Sequence, residues 1–289
     1  MKYVFLGTSE FSAIIFSDLA ESGNKPSLVV CNPDRPTGRK KILTAPKIKT
    51  LAEAVGVDVF QPEKLDASAV QRLKNESPDF FVLASYGKIL SKEVLAIPKF
   101  GTVGVHVSLL PKYRGAAPMQ YAILKGEQET GVTLYLMDEK IDCGPILAQS
   151  KISLTSQTFL DLQTESAHAA AKLLPRTLTD FASGKLQSQA QDESKATFTT
   201  KFAREDGFLD PILLQTAISG ESWEAAQEIE RKVRALNPEP GTWTLGKAIP
   251  NLKIEPEQEV KILRAKLDDG KLIPEIIQIA GKTPQKYGS

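Results

Sequence analysis

Tyr3-Val4-Phe5-Leu6-Gly7-Thr8-Ser9-Glu10-Phe11 lies at the start of the chain, and its reading decides the architecture. Four apolar residues without alternation suit a strand buried on both faces. The turn Gly7 to Glu10 follows, and Phe11, Ile14, Ile15 and Leu19 then recur at helical spacing until Gly23-Asn24. A second apolar run, Ser27 to Cys31, completes a βαβ unit. Phe80 to Ala84 and Thr102 to Val105 are further continuous runs, and helical spacing separates the first three. The expected class is therefore α/β with a mostly parallel sheet. A dinucleotide fingerprint would begin at Gly7, but Ser9 and Ser12 stand where its second and third glycines belong, so NAD or FAD is not expected. No Walker loop, His-Glu-x-x-His helix or Gly-x-Ser-x-Gly elbow occurs.

Beyond the strand-like run Gly131 to Leu136, the apolar segment Pro145 to Leu154 leads into an amphipathic helix from Phe159 to about Ala182. Ser183 to Thr200 is rich in Ser, Gln, Lys and Thr, as a linker is. A helix near Trp223 to Leu236, the turn Asn237 to Gly241, and short segments at Val260 to Leu263 and Leu272 to Ile279 then suggest a small β-rich domain. The division read from these signals is 1–183, a linker 184–203, and 204–289. A length of 289 residues fits two unequal domains, and a net charge of +1 requires any nucleic-acid partner to be met locally. The two cysteines, Cys31 and Cys143, read as small buried hydrophobes. The apolar run at the N-terminus is too short for a signal or a span, so a soluble cytoplasmic protein with no membrane partner is expected.

The most informative segment runs from Gly101 to Pro118. It ends an apolar run in His106, which places an imidazole at the carboxyl tip of a buried strand, where open α/β sheets bind ligands. The other histidine, His168, lies within the long helix and reads as structural. Met137-Asp138-Glu139-Lys140-Ile141-Asp142-Cys143-Gly144-Pro145 packs three acids into a loop, and by spacing alone it is as well read as a solvated surface. An Asp delivered beside His106 would instead fix its tautomer and assist proton transfer. The stretch Pro33 to Lys49 carries six basic residues against one acid; its prolines and glycine argue for an ordered excursion, either a solvated face or a phosphate-contacting loop.

Several of these segments carry a resemblance: Gly7-Thr8-x-x-Phe11, Pro33-Asp34-Arg35-Pro36-x-Gly38-Arg39, Phe60-Gln61-Pro62, Ser85-Tyr86-Gly87, Ser108-Leu109-Leu110-Pro111-x-x-Arg114-Gly115-Ala116-Ala117-Pro118, Glu129-Thr130-Gly131-Val132-Thr133, Met137-Asp138 and Asp142. Together they resemble the folate-dependent formyltransferases, and within them the branch acting on methionyl-tRNA. Arg234 to Trp243 and Gln278 to Lys282 resemble that family's C-terminal, open-barrel-like domain more thinly, and the domain looks shortened here.

The resemblance implies a Rossmann-like domain holding 10-formyltetrahydrofolate as co-substrate, with no metal, beside a catalytic histidine and aspartate at His106 and Asp142. It implies a folate site at Tyr86, Gly87, Ile89, Leu90, Ser108, Leu109, Leu110, Pro111, Asp138, Glu139, Lys140 and Ile141. It also implies contacts to initiator tRNA at Arg35, Arg39, Lys40 and Lys41, made by a monomer. One departure stands out. Gly104 occupies the position of the family's asparagine, whose amide steadies the oxygen that becomes negative during transfer; Val107 and Lys140 depart nearby. Losing such a donor costs roughly a hundred- to a thousandfold in rate. The gap is then filled, tolerated or a sign of another activity, and Thr102, a backbone N–H or a water are the candidates to fill it. Two rivals follow: a sugar-nucleotide N-formyltransferase, and a catalytically impaired folate- or tRNA-binding relative.

Overall fold

The computed structural model describes residues 1–38, 40–250 and 252–287. The chain forms two compact units. The first comprises Met1–Gly115, Glu129–Ser153 and Gln163–Phe198, and the second Ala116–Gln128, Leu154–Leu162 and the chain from Thr199 onward.

The strands of the first unit are β1 (Tyr3–Gly7), β2 (Leu28–Val30), β3 (Arg35–Thr37), β4 (Ile42–Thr44), β5 (Asp58–Phe60), β6 (Phe80–Ala84), β7 (Thr102–His106), β8 (Arg114–Gly115), β9 (Glu129–Leu136) and β10 (Ile146–Ser153). Seven of them make one sheet in the order β10-β9-β7-β6-β1-β2-β5. β5, β2, β1, β6 and β7 are mutually parallel, and β9 and β10 close one edge antiparallel. This is the mostly parallel α/β sheet that the apolar runs predict. β5 carries no such run, and its existence is decided by pairing with β2.

The helices are α1 (Glu10–Glu21), α2 (Lys47–Ala54), α3 (Ala67–Asn75), α4 (Lys92–Leu95), α5 (Pro118–Leu124), α6 (Phe159–Ala182), α7 (Pro211–Ser219) and α8 (Trp223–Leu236). On one face of the sheet Val4, Leu6, Leu28, Val30 and Phe81 pack with Val70 and Leu73 of α3 and Val94 of α4. Phe80, pointing the other way, meets Phe181 of α6 at 6.3 Å between ring centroids. α1 starts immediately after β1 because Ser9 caps it, accepting from the Ser12 amide at 3.4 Å. Ser12 is fully buried, and a Cβ added at Gly7 would lie 2.5 Å from its Cβ and 2.8 Å from the Ala84 carbonyl oxygen. The close strand–helix contact that a fingerprint's third glycine permits is thus made here by Gly7 against a serine.

Residues 184–203, expected as a linker, are tied down in part. Gln189 exchanges two backbone hydrogen bonds with Ile146, at 2.7 and 2.8 Å, and the Thr197 amide donates to the Pro111 carbonyl at 3.2 Å. Polar side chains with paired backbone leave no trace in a hydrophobic pattern.

β11 (Phe198–Thr199), where the chain passes from the first unit to the second, pairs with β8; in the second unit β12 (Trp243–Leu245), β13 (Glu259–Asp268), β14 (Lys271–Ile279) and β15 (Gln285–Lys286) form an antiparallel sheet. Leu214, Ile229, Val233, Val260, Ile262, Leu272 and Ile277 form its core. α5, which the sequence order places with the first domain, belongs here: Tyr121 stacks on Phe202 at 4.7 Å. Among the described residues no helix is long and apolar enough to cross a membrane.

Candidate active site

β1 and β6 are adjacent, with Gly7 level with Ala84, and the chain leaves β1 on one side for β2 and returns on the other. That is the switch point at which open α/β sheets receive ligands, beyond the carboxyl ends of their strands. β7 is the next strand along, and His106 is its last residue.

The His106 ring is 7% exposed. Its Nε2 lies 2.8 Å from the Tyr113 carbonyl oxygen. A carbonyl can only accept, so Nε2 carries a hydrogen in either charge state, and Nδ1 is the nitrogen left to exchange a proton. Nδ1 faces Asp142 Oδ2 at 3.5 Å. The loop supplying that carbonyl is fixed from within: Ser108 Oγ donates to the Lys112 carbonyl at 2.6 Å, and Thr133 Oγ1 to the Ser108 carbonyl at 2.6 Å.

Asp142 sits in a left-handed conformation, φ +55°. Its Oδ2 accepts from the Gly115 amide at 2.8 Å and its Oδ1 from the Tyr135 hydroxyl at 2.7 Å. Burial, reinforced by the Asp142 charge, pushes the Tyr135 phenol far above its ordinary pKa, so it remains a donor. The Asp142 main chain is held as well: Gln191 Nε2 donates to the carbonyls of Asp142 at 2.9 Å and Gly144 at 2.7 Å. Gln191 Oε1 in turn accepts from Arg114 Nε and Nη2 at 3.0 and 2.8 Å, and Arg114 also pairs with Glu193 at 2.7 Å. Arg114 is 1% exposed, and such a charge is tolerable because its donors meet these acceptors.

The structure therefore brings His106, Asp142 and Gly104 together: Gly104 lies in β7 opposite Tyr135 of β9. Thr102, one residue considered for the missing amide, points its hydroxyl toward the Leu95 carbonyl at 3.4 Å instead.

The residues implied for folate divide. Tyr86 and Leu90 are buried in the core, whereas Gly87 and Ile89 face outward, Ile89 being 95% exposed. Ser108 and Leu110 are buried in their loop, and Leu109 and Pro111 are half-buried. Asp138 turns its carboxylate onto the Lys140 amide at 2.8 Å, Glu139 and Lys140 are exposed, and Ile141 is 73% exposed. Lys92, the first residue of α4 just beyond the Ile89 loop, pairs with Glu139 at 2.9 Å.

The basic excursion is a two-stranded ribbon, with Arg35 opposite Thr44 and Thr37 opposite Ile42. Arg35 pairs with Glu63 at 2.6 Å, Lys40 and Lys41 are exposed at the turn, and Arg39 lies outside the described residues. His168, expected from the sequence to be structural, meets Asp18 of α1 at 2.6 Å, an acid 150 residues away in sequence. Cys31 is buried, and burial raises its thiol to about 11; Cys143 is only half-buried. The sequence leaves Tyr113, Tyr135 and Gln191 unmarked as site residues, and Arg114 stands out in it only within the resemblance string. A tyrosine amid Leu134 and Leu136 was the one local signal, whereas Gln191 gave none.

The family description Formyl transferase matches residues 1–178. With that match the chain belongs to the formyl transferase family. A methionyl-tRNA formyltransferase of Halorhodospira halophila is 39% identical over 241 residues, covering 83% of this chain and 74% of its own. Within the family, the chain's place is thus among the methionyl-tRNA formyltransferases. The fold agrees with two solved structures: methionyl-tRNA formyltransferase from Clostridium thermocellum, with TM-score 0.62, 16% identity, and 96% of this chain and 98% of that one covered; and HypX from Aquifex aeolicus in complex with tetrahydrofolic acid, with TM-score 0.63 and 18% identity. The second alignment covers 92% of this chain but only 38% of that longer one.

Proposed function

We propose that this chain transfers the formyl group of 10-formyltetrahydrofolate to the amino group of methionyl initiator tRNA. The observation that carries the reading is the pair His106 Nδ1 and Asp142 Oδ2, 3.5 Å apart at the carboxyl end of the parallel sheet. Ile89 and Ile141, left bare on neighbouring loops, offer apolar surface suited to the flat pterin ring. The ribbon with Arg35, Arg39, Lys40 and Lys41 is the proposed contact to the tRNA backbone. The proposed acting species is a single chain in the cytoplasm.

The chemistry balances without an oxidant. The neutral amine attacks the formyl carbon, a C–N bond forms, and the carbonyl π pair moves onto oxygen. The tetrahedral intermediate collapses by breaking the bond to N10, which takes up a proton as the attacking nitrogen gives one up, leaving tetrahydrofolate and formylated tRNA. His106 Nδ1 is the group placed to move that proton and to stabilise the negative oxygen when protonated. Asp142 orients the ring and offsets its charge.

Single-turnover transfer to methionyl initiator tRNA tests this. Robust transfer by the natural chain, abolished in His106→Ala, supports the reading. Transfer to an amino-sugar nucleotide and not to tRNA would overturn the acceptor, and tight tRNA binding without transfer would overturn catalysis.

A further inference from the structure

Gly104 and Tyr135 are cross-strand partners, and each dictates the other. A Cβ built on Gly104 would fall 2.5 Å from Tyr135 Cε1, 2.6 Å from Cζ and 2.9 Å from the hydroxyl oxygen. No side chain at position 104 coexists with the tyrosine where it stands, because these separations are well inside carbon–carbon contact. Conversely the phenol is 4% exposed and its hydroxyl reaches Asp142 Oδ1 at 2.7 Å. The place where the family's asparagine would begin is filled from across the sheet by a different polar side chain.

We propose that Tyr135 is a positioning residue for formyl transfer, holding the Asp142 carboxylate toward His106 from the space that Gly104 leaves open. It does not replace the amide as a donor to the reacting oxygen. A phenol has a single O–H, and that hydrogen is committed to Asp142. With Oδ1 held by Tyr135 and Oδ2 by the Gly115 amide, the carboxylate plane is fixed at both oxygens, and Oδ2 is presented to Nδ1. The stabilisation of the negative oxygen then falls on His106, whose orientation depends on Asp142 being held. Glycine at 104 is accordingly not a lost function but the space that the tyrosine needs.

The inference rests on the His106–Asp142 reading, and the two fail differently. If His106→Ala transfers formyl at the natural rate, that reading fails whatever Tyr135 does. The test compares Tyr135→Phe, Gly104→Asn, Tyr135→Leu and the double variant Gly104→Asn/Tyr135→Leu in steady-state measurements of kcat and KM, with folding checked by circular dichroism. Tyr135→Phe keeps the ring and removes only the hydroxyl. It is expected to lower kcat about ten- to a hundredfold, the range for losing a hydrogen bond to a charged group, while KM for the folate donor changes less than about twofold. Gly104→Asn alone, crowded by the ring, should lose activity. The double variant, in which a smaller side chain relieves that crowding, should exceed Gly104→Asn in kcat. Unchanged kcat in Tyr135→Phe, or a loss confined to KM, would overturn the proposal. So would Gly104→Asn with natural activity, or a double variant no better than Gly104→Asn.

Discussion

A main-chain carbonyl determines which nitrogen of His106 is available. Because Tyr113 O accepts from Nε2, the ring's exchangeable site is Nδ1, beside Asp142. Asp142→Asn keeps the shape but removes the negative charge that supports an imidazolium; it is expected to lower kcat by roughly a hundred- to ten-thousandfold, the usual worth of proton transfer by a positioned group, with donor KM little changed. Rapid-quench kinetics would check this, and a rise confined to KM with kcat unchanged would contradict it. A second residue-scale expectation concerns Arg114. Its hydrogen bond to Glu193 holds that carboxylate below its ordinary pKa. A depressed folded-state pKa contributes stability that is present above the unfolded carboxylate pKa and is lost as pH falls through the lower folded value. The melting-temperature advantage of the natural chain over Glu193→Gln should therefore be present at neutral pH and vanish on acidification through the carboxylate range; an advantage that persists at the acid end would contradict it.

The elements owe their placement to close approach as much as to pattern. Gly7 lets α1 start against β1, and Gly7→Ala would drive a methyl into Ser12 and the Ala84 carbonyl. The cost expected from such overpacking is about 1–3 kcal/mol, readable as a lower urea midpoint at unchanged slope. An unchanged midpoint would mean that α1 can slide away from the sheet. Continuous apolar runs announced β1, β2, β6 and β7 because strands buried on both faces need no alternation. β5 and the β3–β4 ribbon escaped the pattern. Asp58-Val59-Phe60 is short and partly exposed, and the ribbon Arg35-Pro36-Thr37 contains a proline, which a two-stranded edge tolerates and a central strand does not.

Across the whole molecule the net charge of +1 leaves no general attraction for nucleic acid, so affinity for tRNA must be concentrated where cations cluster. The ribbon exposes Lys40 and Lys41 together with Ile42 at 63% and Leu43 at 67%. Replacing both lysines by alanine is expected to weaken tRNA binding and to reduce the slope of log affinity against log salt by about 1.8, near 0.9 per phosphate contact. Filter binding over a salt series reads this directly. An unchanged slope would place the RNA contact elsewhere.

The sequence by itself determined the α/β class, the two histidines and the Ser108 to Pro118 string that joins the chain to its family, because buried strands and family motifs are local in the chain. It also named His106, Asp142 and Gly104 as residues to watch. Only the tertiary structure decided what surrounds them. Tyr135 reaches Gly104 through strand register, Gln191 reaches Asp142 from 49 residues away, and Asp18 reaches His168 from 150. Such partners are chosen by sheet pairing and by the demand that buried polar groups be satisfied, and neither leaves a periodic mark on the chain.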